Sequence, residues 1–365
     1  MYRTIGLITA NFDFGGFGAL TEERPAVSIP FGGRYRLMDF ALSNMVNARI
    51  QTVGMITPYR YRSIIDHIGA GKEWDLDRKR GGLYIMPGTV YGFRESDGRF
   101  LFRDFQTNIR FFETDADYVL VSSGALVCNI DYTQMLDRHD LAGRGVTLLC
   151  RRTNPGERQR GYYLTLTENG IVSDIAADDG GEYQFLDCFI INRSLLLRLT
   201  RDFSNLGQMD IIEILRLAMN SITVGSYLFE GYVARMSNAS DYLRSSMELL
   251  NRSVRRELFD RERQIRTKVH DTPPALYTSG SSVKDSLVAA GCIIEGTVQN
   301  SVLFRSVKVE KGAVVKNCVL MEKTVIKSGA VLENVICDRS VTITADTRIQ
   351  GTCESPCVLP KGRVI

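Results

Sequence analysis

From residue 282 onward the chain repeats a pattern every six residues, and few folds accept such a period. Leu303, Val309 and Val315 are six apart; so are Val319, Val325 and Val331, and beside them Leu320, Ile326 and Leu332. The runs SLV, CII, AVV, CVL, TVI, AVL and SVTI carry these aliphatic residues, with Gly, Asn, Ser and charged residues between them and KGA or SGA recurring. A strand this short cannot bury its side chain alone, so each rung buries it by stacking on the next. A fixed period of six therefore marks a parallel β-helix. An antiparallel sandwich would not favour one period.

The first 250 residues read differently. RTIGLITA is an apolar strand, residues 40–48 read as a helix, and TVGMIT at 52–57 is again a strand. YRSIIDHI has helical spacing; DYVLVSSG, YTQMLDRH and GVTLLC follow as strand, helix and strand. Such alternation predicts a mainly parallel sheet with helices on both faces. Between the two patterns lies the charged helical run NRSVRRELFDRERQIR, ended by Pro273 and Pro274. Its arginines either bind a phosphate or, with Glu257, Asp260 and Glu262 interleaved, form a solvated helix face. The expected organisation is an α/β, Rossmann-like domain over 1–250, a linker over 251–281, and a left-handed parallel β-helix of hexapeptide repeats over 282–365.

A 365-residue chain with 44% apolar and 24% charged residues is large enough for two cores. Its net charge is +3 with both signs interleaved, which gives no electrostatic reason to expect nucleic acid or a membrane as partner. No apolar run reaches the roughly 18 residues of a membrane span and no signal-like leader opens the sequence, so a cytoplasmic location is expected. The eight cysteines read as buried small hydrophobes in a reducing compartment. Cys353 and Cys357 are close together, but no second pair completes a zinc set, and His67, His139 and His270 lie far apart.

VSSGALVCNIDY, at 121–132, poses a functional question. Tyr118 to Val121 are β-prone and Ser122, Ser123 and Gly124 end the run, which is where an open α/β sheet binds ligands. Yet Ala125, Leu126 and Val127 follow, and none of them can do chemistry.

Two long stretches narrow the reading: PAVSIPFGGRYRLMDFALSNMVNARI at 25–50 and HIGAGKEWDLDRKRGG at 67–82, with GTVQNSVLFRSVKVEKGAVVKNCVLM in the β-helix. These resemble the bacterial glucose-1-phosphate adenylyltransferases, the ADP-glucose pyrophosphorylases of glycogen synthesis, and the similarity runs over nearly the whole chain. The resemblance implies attack by a glucose-1-phosphate oxygen on the α-phosphate of ATP with release of pyrophosphate. That chemistry needs backbone N–H groups and a cation on the triphosphate, a divalent metal on carboxylates, and a cation on the sugar phosphate.

Carried over residue by residue, the resemblance finds the family's chemistry depleted. The phosphate loop G-G-x-G-x-R-L is met by NFDFGGFGAL, in which Gly15, Gly16 and Gly18 are either its vestige or a plain turn; Ala19 runs directly into Leu20, so the Arg is absent. The metal Asp of SGDHIY aligns with Ala125, and that of GYWKDIGT with Arg235 in GYVARMSN. The Lys of AKPAV becomes Arg24, a vestigial nucleotide contact. Where the family has the Lys of EKP, ENGIVSDIAADDGG offers Asp174, Asp178 and Asp179, and FRDFQTN at 102–108 stands for GTADA. No catalytic residue and no metal ligand carry over.

This pattern is similar to the GlgD-type subunit. The resemblance implies a non-catalytic or barely catalytic regulatory subunit. Such a subunit assembles with the catalytic pyrophosphorylase subunit in a hetero-oligomer, a tetramer, and activates it, with self-association left open. It needs no cofactor of its own, Mg²⁺ serving the catalytic partner. Arg34 and Arg36 fall where the family binds activating sugar phosphates; they are either that effector site or surface cations at a loop-to-helix transition. WDLDR at 74–78 matches the family without an assignable role. Two other readings stay open: an active nucleotidyltransferase with Asp117, Asp131 or Asp241 as displaced ligands, and a sugar-phosphate-binding sensor or scaffold. A β-helix acyltransferase is disfavoured, because no His follows His270.

Overall fold

The alternating runs of the first 250 residues assemble into a nine-stranded sheet. The structure, a computed structural model, describes residues 2–12, 15–58, 60–88, 100–154, 159–178 and 180–365. Strands Gly82–Pro87, Thr52–Thr57, Thr4–Thr9 and Tyr118–Ser123 lie side by side and parallel. The long strand Tyr183–Asn192 follows, antiparallel to Tyr118–Ser123. Beyond it the sheet forks, to Val146–Arg152 with Val224–Leu228 and to Gly161–Leu166 with Val172–Asp178. Thr4–Thr9 and Tyr118–Ser123 bury every residue but the first, and their apolar stretches Ile5–Ile8 and Val119–Val121 read accordingly. Helix Tyr132–Ala142 begins where Asp131 accepts a bond from Thr133 N–H at 2.9 Å and ends at Gly143 in the left-handed region. Phe100, Phe105, Phe112, Phe185 and Phe189 fill the core beneath the sheet.

The sheet belongs to a unit made of Met1–Phe12, Phe40–Val233 and Arg261–Arg266; a second unit comprises Asp13–Asp39, Ala234–Asp260 and Thr267–Ile365. In the second unit the six-residue period becomes a left-handed β-helix of three parallel five-stranded sheets. Val309, Ile326 and Ile343 stack at intervals of 17 residues, one coil apart. Residues six apart in sequence thus occupy successive faces of a coil, and all three faces turn an aliphatic residue inward. The coil corners need a left-handed backbone. Asn300, Asn317 and Asn334 supply it at φ 45°, 51° and 53°, and Asn300 Nδ2 donates to Asn317 Oδ1 at 2.6 Å. The coil starts at Leu276–Tyr277, ahead of residue 282, and the helical part of the expected linker is Arg252–Leu258 alone.

One solenoid face differs from the other two. Val302–Leu303, Val319–Leu320 and Val335–Cys337 bury consecutive residues, so this face is covered outside as well as inside. Its cover comes from the same unit. A Cβ on Gly33 would stand 2.7 Å from Leu287 Cδ2, and Ser240 Oγ donates to Cys353 O at 2.9 Å. Segments Asp13–Asp39 and Ala234–Asp260 therefore group with the solenoid, across the boundaries that pattern alone suggests. No helix of the described residues is long and apolar enough to cross a membrane.

Candidate functional site

In the first unit the carboxyl ends of four parallel strands come together. Gly124 N–H donates to Thr9 O at 2.9 Å, Ala10 N–H to Ile56 O at 2.8 Å and Gly88 N–H to Thr57 O at 2.9 Å. Ala125 sits at this rim, half-buried, its N–H donating to Ser123 Oγ at 3.2 Å. Helix Phe102–Thr107, from the FRDFQTN segment, brings the buried Asp104 to the same rim, where its carboxylate accepts from Asn11 Nδ2 at 2.5 Å. Asn108 Nδ2 donates to Pro87 O at 3.2 Å. Tyr183–Asn192 adds Asp187, buried, next to Cys188, whose pairing partner is Ser122. Asp187 stands at φ 55° where pairing shifts between Phe185 and Phe189, a strained position for a non-glycine residue. Sequence inspection passed over Asp104 and Asp187; for Asp187 no local pattern announces the bulge.

The three carboxylates that the reading of an active enzyme would need as displaced ligands have other partners. Asp117 lies at the amino end of Tyr118–Ser123, opposite Ala125, and accepts from Arg3 N–H at 3.1 Å. Asp131 caps its helix. Asp241 accepts from Ser237 N–H at 3.2 Å and pairs with Arg244 at 2.6 Å. On the EKP-like segment, Asp174 pairs with Arg216 at 3.6 Å, Asp178 ends the strand Val172–Asp178, and Asp179 lies outside the described residues.

In the second unit Gly15 and Gly18 take positive φ, and Gly16 bridges to Asn238, the cap of helix Ala239–Glu248. A Cβ on Gly16 would meet Ser237 O at 2.6 Å, so close backbone approach demands glycine there. Arg24, expected as a vestigial nucleotide contact, has its guanidinium buried in an ion pair with the equally buried Asp338, and its Nε–H donates to Leu20 O at 3.0 Å. Arg235 is buried just past the strand Val233–Ala234.

Arg34 is exposed, its guanidinium 5.4 Å from the Tyr35 ring centre, and Arg36 N–H donates to Asp39 Oδ2 at 2.9 Å. Arg305, on the solenoid, joins them. Burial holds its pKa below the ordinary arginine value; Glu322, 3.8 Å away, opposes this and the Arg34 charge adds to it. Two guanidiniums close enough to repel each other form an arrangement that an anion relieves. Sequence inspection missed Arg305, because a solenoid corner residue looks like any solvated cation.

The Nucleotidyl transferase family matches residues 16–176, and the GlmU-like C-terminal hexapeptide family matches residues 273–354. The glycogen biosynthesis protein GlgD of Bacillus subtilis (strain 168) is 41% identical over 346 residues, 94% of this chain and 92% of that protein. That of Geobacillus stearothermophilus is 39% identical over 363 residues, 99% and 97% of the two chains. The chain belongs to the GlgD family of glycogen biosynthesis proteins. A glucose-1-phosphate adenylyltransferase of Pseudothermotoga lettingae is 33% identical over 334 residues, covering 86% of this chain and 77% of the enzyme.

This GlgD-family chain does not fit the divalent cation that the adenylyltransferase resemblance implies. At the two positions where that resemblance puts carboxylates stand the Ala125 methyl and the Arg235 guanidinium, neither of which is an oxygen ligand. Among the described residues no three His, Cys, Asp or Glu side chains group as metal ligands. The arrangement can hydrogen-bond a polar ligand at the strand ends and can hold an anion on Arg34 and Arg305.

Proposed function

We propose that this chain is the regulatory, non-catalytic or barely catalytic subunit of an ADP-glucose pyrophosphorylase in glycogen biosynthesis. It assembles with the catalytic subunit, whose carboxylates and Mg²⁺ carry out adenylyl transfer to glucose-1-phosphate, and raises that subunit's activity. The observation that carries this reading is Ala125. The fold keeps a ligand-binding strand end and puts a methyl group on it, while Asp117, Asp131 and Asp241 are each tied to other partners. A chain with this fold and without that chemistry acts by shifting its partner's conformational equilibrium. A sugar phosphate on Arg34, Arg36 and Arg305 is the effector the cationic cluster suits.

The test is ADP-glucose formation from ATP, glucose-1-phosphate and Mg²⁺ by the chain alone, by the catalytic subunit of the same bacterium alone, and by the mixture. The chain alone is expected to be silent or nearly so, and the mixture faster than the catalytic subunit. Equal rates with and without the chain would sink the proposal.

A further inference from the structure

Helix Leu37–Asn47, LMDFALSNMVN, carries three polar side chains with no part in the site described so far: Ser43, Asn44 and Asn47. Ser43 is fully buried and its hydroxyl is used to capacity. It accepts from Trp74 Nε1–H at 3.1 Å and from Arg266 N–H at 2.9 Å, and donates to Arg266 O at 3.4 Å. One donor and two acceptor positions are all a hydroxyl has. One turn on, Asn47 Nδ2 donates to Gln264 O at 3.2 Å. Between them Asn44 Nδ2 donates to Cys128 O at 2.9 Å, in the short strand Val127–Cys128 that follows Ala125.

The segment Arg261–Arg266 is thus strapped to this helix, and it has further ties. Asn129 Nδ2 donates to Arg263 O at 2.8 Å and Arg263 Nε–H returns a bond to Asn129 Oδ1 at 3.2 Å. The Arg266 guanidinium pairs with Asp75, the residue after Trp74 in WDLDR, and Ile265 is buried. At the other end of the helix, Asp39 accepts from Arg36 N–H. Arg36 immediately precedes the first helical residue, and Arg34 lies two residues before Arg36.

We infer that helix Leu37–Asn47 transmits anion binding at Arg34 and Arg36 to the strap and to the strand behind Ala125. The inference rests on the reading of those arginines as an anion site. A helix moves as a rod over this length, and a close-packed interior does not deform continuously. A saturated hydroxyl node has no spare bond with which to follow a shift, so the node either holds or breaks. Ser43 is accordingly a positioning residue and WDLDR is the clasp that closes on it. The strap leads directly into Thr267, the first residue of the solenoid segment.

Trp74 is the chain's single tryptophan, is fully buried and has its N–H on Ser43, so its fluorescence reports the node. Inorganic phosphate and glucose-1-phosphate are titrated, in separate arms, into the full chain as wild type, Ser43→Ala, Asp75→Asn and the Arg34→Ala/Arg36→Ala double variant. Calorimetry measures binding, and acrylamide quenching measures the exposure of Trp74. The wild type is expected to bind and to change its quenching, and the double variant to lose both. Ser43→Ala is expected to bind with the quenching response lost. Asp75→Asn alters only an exposed pair; it is expected to fold and bind with a weakened response, which keeps the inference testable if Ser43→Ala does not fold. Binding to the wild type without a quenching change overturns the inference and leaves the anion site standing. An undiminished response in both Ser43→Ala and Asp75→Asn also overturns it. No binding to the wild type overturns both.

Discussion

Arg24 and Asp338 face each other with almost no exposure, and a charge pair in that setting stabilises only as a pair. Arg24→Ala leaves a buried carboxylate without its counter-charge and is expected to cost about 3–5 kcal/mol in a denaturant titration, whereas Arg24→Met with Asp338→Leu is expected to be near neutral. A double variant as unstable as the single one would show that the charges do not act as a pair. His139 gives the acid response. Its Nε2 lies 2.8 Å from Asn192 Oδ1 and its Nδ1 2.7 Å from the Thr147 hydroxyl. Burial lowers its pKa, reinforced by Arg144 and opposed by the Asn192 bond and by Asp140. The unfolded chain therefore takes up the proton first. This group's contribution is complete above the ordinary histidine value and declines as pH falls below it. Melting temperature should drop less steeply with acidification in His139→Gln than in the wild type; parallel curves would assign the acid limb to other groups. That position 24 carries a cation is plain in the sequence. Its partner is not, because Asp338 lies in another segment of the chain and no local rule pairs them.

At the scale of elements, the solenoid coil is where sequence and structure agree most closely, since a stacked coil is built from local repeats. The period marked Leu303, Val309 and Val315 and two adjacent series, Val319, Val325, Val331 and Leu320, Ile326, Leu332. The first and last series are fully buried, whereas Val325 and Val331 are half-buried, so periodicity alone did not say which of two neighbours faces inward. Coil length was less legible. It is 17 residues between Val309 and Ile326 but 15 between Ile294 and Val309, because corner insertions leave the apolar triplets intact. Asn317→Ala removes the acceptor of the Asn300 bond and puts a Cβ-bearing, non-bonding residue at φ 51°; an expected loss of about 1–2 kcal/mol follows, read by thermal or denaturant melting. An unchanged midpoint would mean that the corner ladder does not stabilise the coil. WDLDR stood out in the sequence as a family match with no role. Only the folded chain places Trp74 on Ser43 and Asp75 on Arg266.

For the whole molecule, the proposal predicts association: the chain mixed with the catalytic subunit of the same bacterium should elute as a species larger than either alone, by size-exclusion with light scattering. Independent elution at assay concentrations would refute the subunit reading. Ala125→Asp is expected to leave the chain unable to make ADP-glucose by itself, because Arg235 and the missing phosphate-loop arginine remain; turnover by that variant would defeat the account of the empty strand end. The sequence by itself determined the fold class, the hexapeptide coil and the absence of carboxylates at positions 125 and 235. Periodicity and residue identity are local properties, legible before any contact forms. Only the tertiary structure decided which groups surround those positions. Asp104 reaches the strand ends through a helix that the sequence does not aim. Asp187 arrives through a bulge, and Arg24 is diverted to a solenoid corner. The segments 13–39 and 234–260 are drawn onto a solenoid face whose consecutive buried residues need cover. Each of these is a contact between residues far apart in the chain, set by which apolar surfaces must be covered and which buried charges must be paired.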